Sequence, residues 1–272
     1  METLVTRYGI ARVEGDELAV VDLPLPNLRW LFKAGQTLAD VETAPVTRRL
    51  AKADLDEVVV PPLGLDTAVW GVGLNYHGKA ALTGRPVPTE PILFLKPSSA
   101  LAAHRAALPI PADLTTQFDY EAEVGIVLAR ALHDARPEDV WDAVGGVIAA
   151  NDSTARDVMK ATGTPTLAKG FPGCAPLGPT MLPPSDLADR DAIPVASWVD
   201  GEERQRSSTA DLIFDVPELL SRLSRYVRLE PGDVVLTGTP PGTGQDRNDY
   251  LRPGQEIRIA VGPLVPLVNT VA

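Results

Sequence analysis

The sequence predicts a β-rich α+β protein, on three observations. Short runs of β-branched and aliphatic residues recur along the whole chain, bounded by glycine, proline or turn pairs. The 26 prolines and 22 glycines are spread out rather than gathered in one block, which implies many turns. Helical patterning is limited to short stretches, the clearest of which opens at Asp215.

The elements follow in order. Residues 5–23 read as two strands joined at Glu14-Gly15-Asp16, a hairpin-type turn. A mixed helical region comes next, with Leu28, Leu31, Phe32, Leu38 and Val41 facing inward. The run Asp56-Glu57-Val58-Val59-Val60 is expected to be a short strand stopped by Pro61 and Pro62. Residues 1–65 are therefore expected to form a small N-terminal subdomain, with residues 66–272 as the main domain.

From Ala68 the texture changes. An apolar strand runs into a glycine-rich turn, with polar residues clustered just past its end. Glycines 71, 73 and 78 do not meet the G-x-G-x-x-G spacing, so a dinucleotide fingerprint is not supported. Ile92 to Lys96 is another strand, and Lys96 directly precedes Pro97, which keeps it extended. Val124 to Leu128 reads as a buried strand. Pro137-Glu138-Asp139 opens a short helix carrying Val140, Trp141 and Val144. A further apolar run ends in Asn151-Asp152, and Lys169 is followed by a Gly/Pro-rich stretch expected to be an irregular loop. Asp200-Gly201 marks a hairpin. Asp215-Val216-Pro217-Glu218 resembles a capping box, opening a helix with Leu219, Leu220, Leu223 and Val227 on one face. Residues 229–244 give a turn, a strand and a Thr/Gly/Pro loop without G-K-[ST], which is not a nucleotide P-loop. Strands near 256–261 and 264–271 close the chain.

Composition narrows the function classes. The 272 residues can bury a large core, and 44% hydrophobic content with mean hydropathy near zero fits a soluble globular protein. A formal net charge of −11 argues against nucleic acid or an anionic membrane as partner, while leaving room for a small anionic substrate at a locally positive site. The single cysteine, Cys174, excludes an internal disulfide framework and fits a reducing cytosol, so a cytoplasmic location is expected. No basic region followed by an apolar run opens the chain, and no apolar stretch approaches the length of a bilayer span.

The chemistry centres on Phe118-Asp119-Tyr120-Glu121-Ala122-Glu123-Val124. Residues two apart on a strand share a face, so Glu121 and Glu123 point the same way. Two carboxylates at the mouth of an apolar strand repel one another and lose hydration unless a cation sits between them. Asp152 sits where a second strand leaves the core. Three carboxylates at strand ends suit a hard cation, Mg²⁺, Mn²⁺ or Ca²⁺, rather than zinc. An isolated E-x-E on a solvated edge would need no metal. In the Thr/Gly/Pro loop, backbone N–H groups with the Thr237 and Thr239 hydroxyls can hold a carboxylate.

These segments, GVGLNY, EPILFLKP, DYEAEVGIVL, ANDSTARD, LAKGFPGCAPLGP and LEPGDVVLTGTPPGTG, make the chain resemble the fumarylacetoacetate hydrolase family from about Val69 onward. The resemblance implies a mixed β-roll with peripheral helices, commonly a homodimer, and a catalytic domain over residues 66–272. It implies a divalent-metal enzyme acting on 2-oxo acids and acylpyruvates by C–C hydrolysis, decarboxylation or isomerisation. By motif, Glu121, Glu123 and Asp152 fall on the metal ligands and Lys169 on the lysine beside metal and substrate. Tyr76, Arg156 and the Thr237-Gly238-Thr239 loop fall on substrate-binding positions.

The departures concern water activation. Family members usually carry a His–Glu pair after N-Y; this chain has Lys79 and Leu82 at those positions, with His77 two residues early. Met159 stands where a glutamine is common. Enolate chemistry, as an isomerase, tautomerase or decarboxylase, is the expected activity. Hydrolysis would require Lys79 or His77 to replace the missing pair, and a ligand-binding member without turnover is the third reading.

Overall fold

The computed structural model describes residues 1–64 and 66–272. The expected subdomain boundary falls on Leu65, which lies outside the described residues. The first part of the chain carries strands β1 (Thr3–Thr6), β2 (Gly9–Glu14) and β3 (Glu17–Val21), helices α1 (Leu28–Lys33) and α2 (Leu38–Thr43), strand β4 (Val46–Ala51) and helix α3 (Leu55–Val58). Strand β5 (Val69–Gly73), helix α4 (His77–Thr83) and strand β6 (Ile92–Lys96) follow, then the short strands β7 (Leu101–Ala102), β8 (Ala107–Leu108) and β9 (Phe118–Asp119). The middle comprises β10 (Ala122–Leu128), α5 (Pro137–Val140), β11 (Val144–Asn151), β12 (Thr154–Ala155), α6 (Arg156–Thr162), α7 (Pro165–Lys169) and β13 (Ala175–Leu182). The last part holds β14 (Pro194–Val199), β15 (Glu202–Ser208), α8 (Val216–Ser224), β16 (Val234–Leu236), α9 (Gly244–Arg247), β17 (Glu256–Val261) and β18 (Leu267–Val271).

The architecture is the expected β-rich α+β. One 11-stranded sheet runs β4-β3-β2-β1-β13-β11-β10-β16-β5-β6, with β7 joined to β13. A 5-stranded sheet runs β15-β14-β17-β18-β8, and β9 pairs with β12 alone. Most pairs are antiparallel, but β16–β5, β13–β7 and β18–β8 are parallel, so both large sheets are mixed. Strands β10 and β11 face β14 and β17 of the other sheet, and every residue of β10 and β11 is buried. Val124, Ile126, Val147, Ile257 and Ile259 meet in this core, each worth about 1.5–3 kcal/mol of apolar burial.

Several expectations hold locally. Asp200 and Gly201 both adopt positive φ (50° and 79°), as a two-residue hairpin between β14 and β15 requires. Asp215 caps α8 by accepting the Glu218 N–H, and Leu219, Leu220 and Leu223 are buried beneath it, whereas Val227 lies beyond the helix end and is half-buried. The five inward residues predicted between Leu28 and Val41 are all in the core.

Three expectations are corrected and one strand is added. Residues 3–21 form three strands, not two, because the chain reverses at Arg7-Tyr8 ahead of Gly9 as well as at Gly15. The expected strand at 56–60 is largely the helical turn α3: Leu55 and Val58, three apart, share a face and pack on Leu4, Ala11 and Leu18. Only Val59 makes a β-bridge, to Thr6. Strand β4 was not foreseen, since it is a sheet edge whose residues are mostly exposed and show no buried alternation. The irregular loop expected after Lys169, which itself ends helix α7, covers only residues 170–174; the Pro-containing stretch Ala175–Leu182 is a central strand, with its pairing to β11 irregular between Ile148 and Ala150.

Candidate active site and metal centre

The site forms where strand ends converge. Pairing of β10 with β11 sets Ala122 opposite Asn151, so the chain preceding β10 and the chain following β11 lie side by side. The Asn151 side chain accepts the Glu121 N–H at 3.0 Å, and Asp152 N–H donates to the Glu121 carbonyl at 2.9 Å. Glu121, Glu123 and Asp152 are thereby brought together, each offering an oxygen within 4.8 Å of the others, all three buried.

The cations nearby are shared out among these carboxylates. Lys169 Nζ donates to Glu121 Oε2 and Asp152 Oδ2, both at 2.5 Å, and to Thr154 Oγ1 at 2.8 Å. Lys96 Nζ donates to the other Asp152 oxygen at 2.6 Å. Arg156 donates from Nη2 to Glu121 Oε1 at 2.6 Å and from Nε to Asp119 Oδ2 at 2.7 Å. Glu123 has no such partner among the described residues; its Oε2 accepts the Gly238 N–H at 2.7 Å. Burial, reinforced by Asp152 and Glu121, pushes the Glu123 carboxyl well above its ordinary value. Burial would raise Glu121 too, but Arg156 and Lys169 overcome it and hold that carboxyl below the usual range. Burial likewise opposes the charge of Lys169, yet Asp152 and Glu121 hold its amine above its usual value.

Asp119, Glu121, Glu123 and Asp152 thus face Lys96, Arg156 and Lys169, and Glu123 is the carboxylate left over. An all-oxygen donor set with one surplus negative charge fits a hard divalent cation, held by Glu121, Glu123 and Asp152.

A cavity of about 570 Å³ opens onto these groups, with Glu121, Glu123, Arg156, Lys169, Lys79 and Thr239 among its lining and Val72, Ile92 and Phe94 on its apolar wall. The Phe94 ring lies 5.0 Å from Lys169 Nζ. The substrate-loop residues are held tightly from behind. Thr237 N–H donates to the Val124 carbonyl, Gly238 N–H to Glu123, and Thr239 Oγ1 to the Ala122 carbonyl. Two backbone donors expected to be free for a ligand carboxylate therefore bond the protein itself. Tyr76 is fully buried ahead of α4, outside the cavity wall; burial, then the charge of Glu123, pushes its phenol up.

The other two candidates are separated. Lys79 lines the cavity, but its amine donates to Asp246 Oδ2 at 2.5 Å and Thr243 Oγ1 at 2.9 Å. His77 is exposed on the first turn of α4 and is not part of the cavity wall. Leu82 is 59% exposed.

Sequence reading passed over several residues that build the site. Asp119, two before Glu121, orients Arg156; Lys96, buried at the end of β6, holds Asp152. The Asn75 amide clamps Phe214 and the Thr237 carbonyl, and Gln205, from the other sheet, bonds Ala122 N–H, Thr239 Oγ1 and the Pro240 carbonyl. The only local signals were polar residues at strand ends, with Lys96-Pro97 the clearest.

Comparison with known proteins identifies the family of the chain. The family described as Fumarylacetoacetate (FAA) hydrolase C-terminal matches residues 68–272. Over 210 residues the chain is 37% identical to oxaloacetate tautomerase FAHD2, mitochondrial, of Oryza sativa subsp. japonica, covering 75% of this chain and 90% of that protein. A fumarylacetoacetate hydrolase structure from psychrophilic Exiguobacterium antarcticum superposes with a TM-score of 0.85 at 30% identity, covering 100% of this chain and 99% of that one. A fumarylpyruvate hydrolase from Pseudomonas aeruginosa, solved in complex with Mn²⁺ and pyruvate, gives a TM-score of 0.68 at 33% identity over 75% of this chain and 89% of that one. With most of its length matched by the family model and its whole fold shared with a solved member, the chain belongs to the fumarylacetoacetate hydrolase family.

Proposed function

We propose that this protein is a divalent-metal-dependent enzyme that enolises a small 2-oxo acid or 1,3-dicarbonyl acid, as a tautomerase, isomerase or decarboxylase. The observation that carries the reading is the surplus carboxylate, Glu123, buried beside Glu121 and Asp152 at the floor of a cavity. Two relatives support it: an oxaloacetate tautomerase, and a hydrolase whose structure holds Mn²⁺ with pyruvate. Mg²⁺ or Mn²⁺ is the expected ion.

When bound, the cation supplies Lewis-acid polarisation of the substrate's 2-oxo group. The chain's own residues do the rest. Arg156, on the cavity wall and with its Nη1 bonded to neither Asp119 nor Glu121, orients the substrate carboxylate. Lys169, its three protons taken by Thr154, Asp152 and Glu121, places a positive charge beside the oxygen on which enolate charge develops, which stabilises the enolate. Val72, Ile92 and Phe94 give that face an apolar wall. Among the described residues lining the cavity there is no histidine, and the Lys79 amine is held by Asp246. This arrangement favours proton transfer over the activation of water for C–C hydrolysis.

The test is turnover of oxaloacetate, acetylpyruvate and a 2-hydroxymuconate-type dienol, with Mg²⁺ or Mn²⁺ and after chelation, in the wild type and in a Glu121→Ala, Glu123→Ala variant. Enol–keto exchange that needs the metal and disappears in the variant is the expected result. Release of pyruvate plus acid from acetylpyruvate would replace this reading with hydrolysis. Metal-independent behaviour throughout would sink it.

A further inference from the structure

Among the described residues, Lys79 is the one buried cavity-lining cation tied to neither Asp119 nor the carboxylate cluster; Arg85 and Lys160, also on the wall, are exposed. Lys79 is instead the first link of a buried chain of hydrogen bonds. Asp246 Oδ2, which takes the Lys79 amine, also accepts the N–H groups of Gly242 (2.8 Å) and Thr243 (3.1 Å), closing the cap of α9. The next two residues, Gly244 and Gln245, donate their N–H groups to the two oxygens of Asp119 at 2.6 and 3.0 Å. Asp119 in turn holds Arg156 Nε, and Arg156 holds Glu121. The Tyr120 hydroxyl fixes the same loop through the Gly242 carbonyl at 2.8 Å. Gly244 is needed for this approach, since a Cβ there would lie 2.6 Å from Asp119 Oδ1 and 2.6 Å from the Asp249 carbonyl oxygen.

We propose that Lys79 is a positioning residue for the metal ligand Glu121, acting through Asp246, the start of α9, Asp119 and Arg156. The proposal rests on the metal-site reading above. A metal ligand is held in its working orientation by the groups that bond it from outside, and here that outer support is a relay crossing four segments of chain.

Charge alone and positioning make opposite forecasts. Removing a nearby positive charge tightens cation binding, whereas removing a negative one weakens it. A broken relay weakens binding in both cases. The experiment is titration of free Mn²⁺ by EPR in the wild type, Lys79→Met, Asp246→Asn, the double variant, Lys79→Arg and Gly244→Ala, with Glu123→Gln as control. The expected result is a loss of about tenfold in Mn²⁺ affinity in each of Lys79→Met, Asp246→Asn and Gly244→Ala, with the double variant no worse than the weaker single one. Lys79→Arg, which can still bond Asp246, regains most of the affinity. Wild-type affinity or tighter in Lys79→Met overturns the proposal; should that variant not fold, wild-type affinity in Gly244→Ala overturns it equally. If Glu123→Gln binds Mn²⁺ like the wild type, the metal-site reading itself is wrong and the proposal falls with it.

Discussion

At the residue scale, the site is an exercise in matching buried charges. Asp152 is shared between Lys96 and Lys169, and Glu121 between Lys169 and Arg156, so each of their oxygens has a cationic partner. Glu123 has one backbone N–H and lies against two other carboxylates. Burying an unmatched carboxylate destabilises the fold, and it is tolerated where a cation can be recruited. Glu123→Gln removes that charge while keeping an acceptor for Gly238 N–H. We expect the metal-free variant to melt no lower than the metal-free wild type. Saturating Mn²⁺ should raise the wild-type Tm, by the equivalent of about 2.7 kcal/mol at a hundred times Kd, and leave the variant unmoved. A variant that melts well below the wild type without metal would show that Glu123 is satisfied within the protein.

At the element scale, the cavity wall depends on how β5 and β6 meet. Gly71 of β5 lies directly opposite Phe94 of β6, and a Cβ at residue 71 would sit 2.3 Å from the Phe94 ring. The glycine lets the ring lie flat against the strand, where it lines the cavity and faces the Lys169 amine. Gly71→Ala must push the ring aside. The expected cost is about 1–3 kcal/mol in denaturant unfolding, with a raised KM for the oxo-acid substrate and an unchanged Mn²⁺ affinity. An unaltered KM would mean that the ring is not part of the binding wall. These strands were legible because β5, β6, β10 and β11 are apolar runs closed by turn residues. Helix α3 was not, since four residues are too few for a period of 3.6 to be told from a strand.

At the scale of the whole molecule, segments far apart in sequence are tied by a few polar contacts. Strand β1 pairs with β13, which extends the main sheet into the first part of the chain. His104 joins that part to the last strand: its Nε2 is 2.8 Å from Asp56 Oδ1, and its Nδ1 accepts the Val268 N–H at 3.1 Å. This arrangement needs the neutral ring with its proton on Nε2. Burial pushes the His104 imidazole below its ordinary value despite the pull of Asp56, and Arg105 adds to the effect. An unfolded chain takes up a proton near pH ~6.5 that the folded protein refuses, so stability is full above that pH and declines as pH falls toward the folded value. Asp56, held low by His104 and Arg105 against the effect of burial, adds a second loss at still lower pH. The urea midpoint should therefore drop between about pH 8 and about pH 5.5, and drop less in His104→Gln. Equal drops in both proteins would remove His104 as the cause.

From the sequence alone come the β-rich class, the strands that carry the acids, and the shared face of Glu121 and Glu123, because each follows from a local period or a turn residue. The family followed from ordered motifs, and with it the positions of Asp152 and Lys169. Only the tertiary structure decided which charge answers which: Lys96 on Asp152, Asp119 on Arg156 and the α9 backbone, Lys79 on Asp246, and Gln205 reaching in from the other sheet. These partners are tens of residues or more apart, so no local pattern records them. They are chosen by which strand ends the sheet brings side by side, and by the cost of leaving any buried charge without a partner.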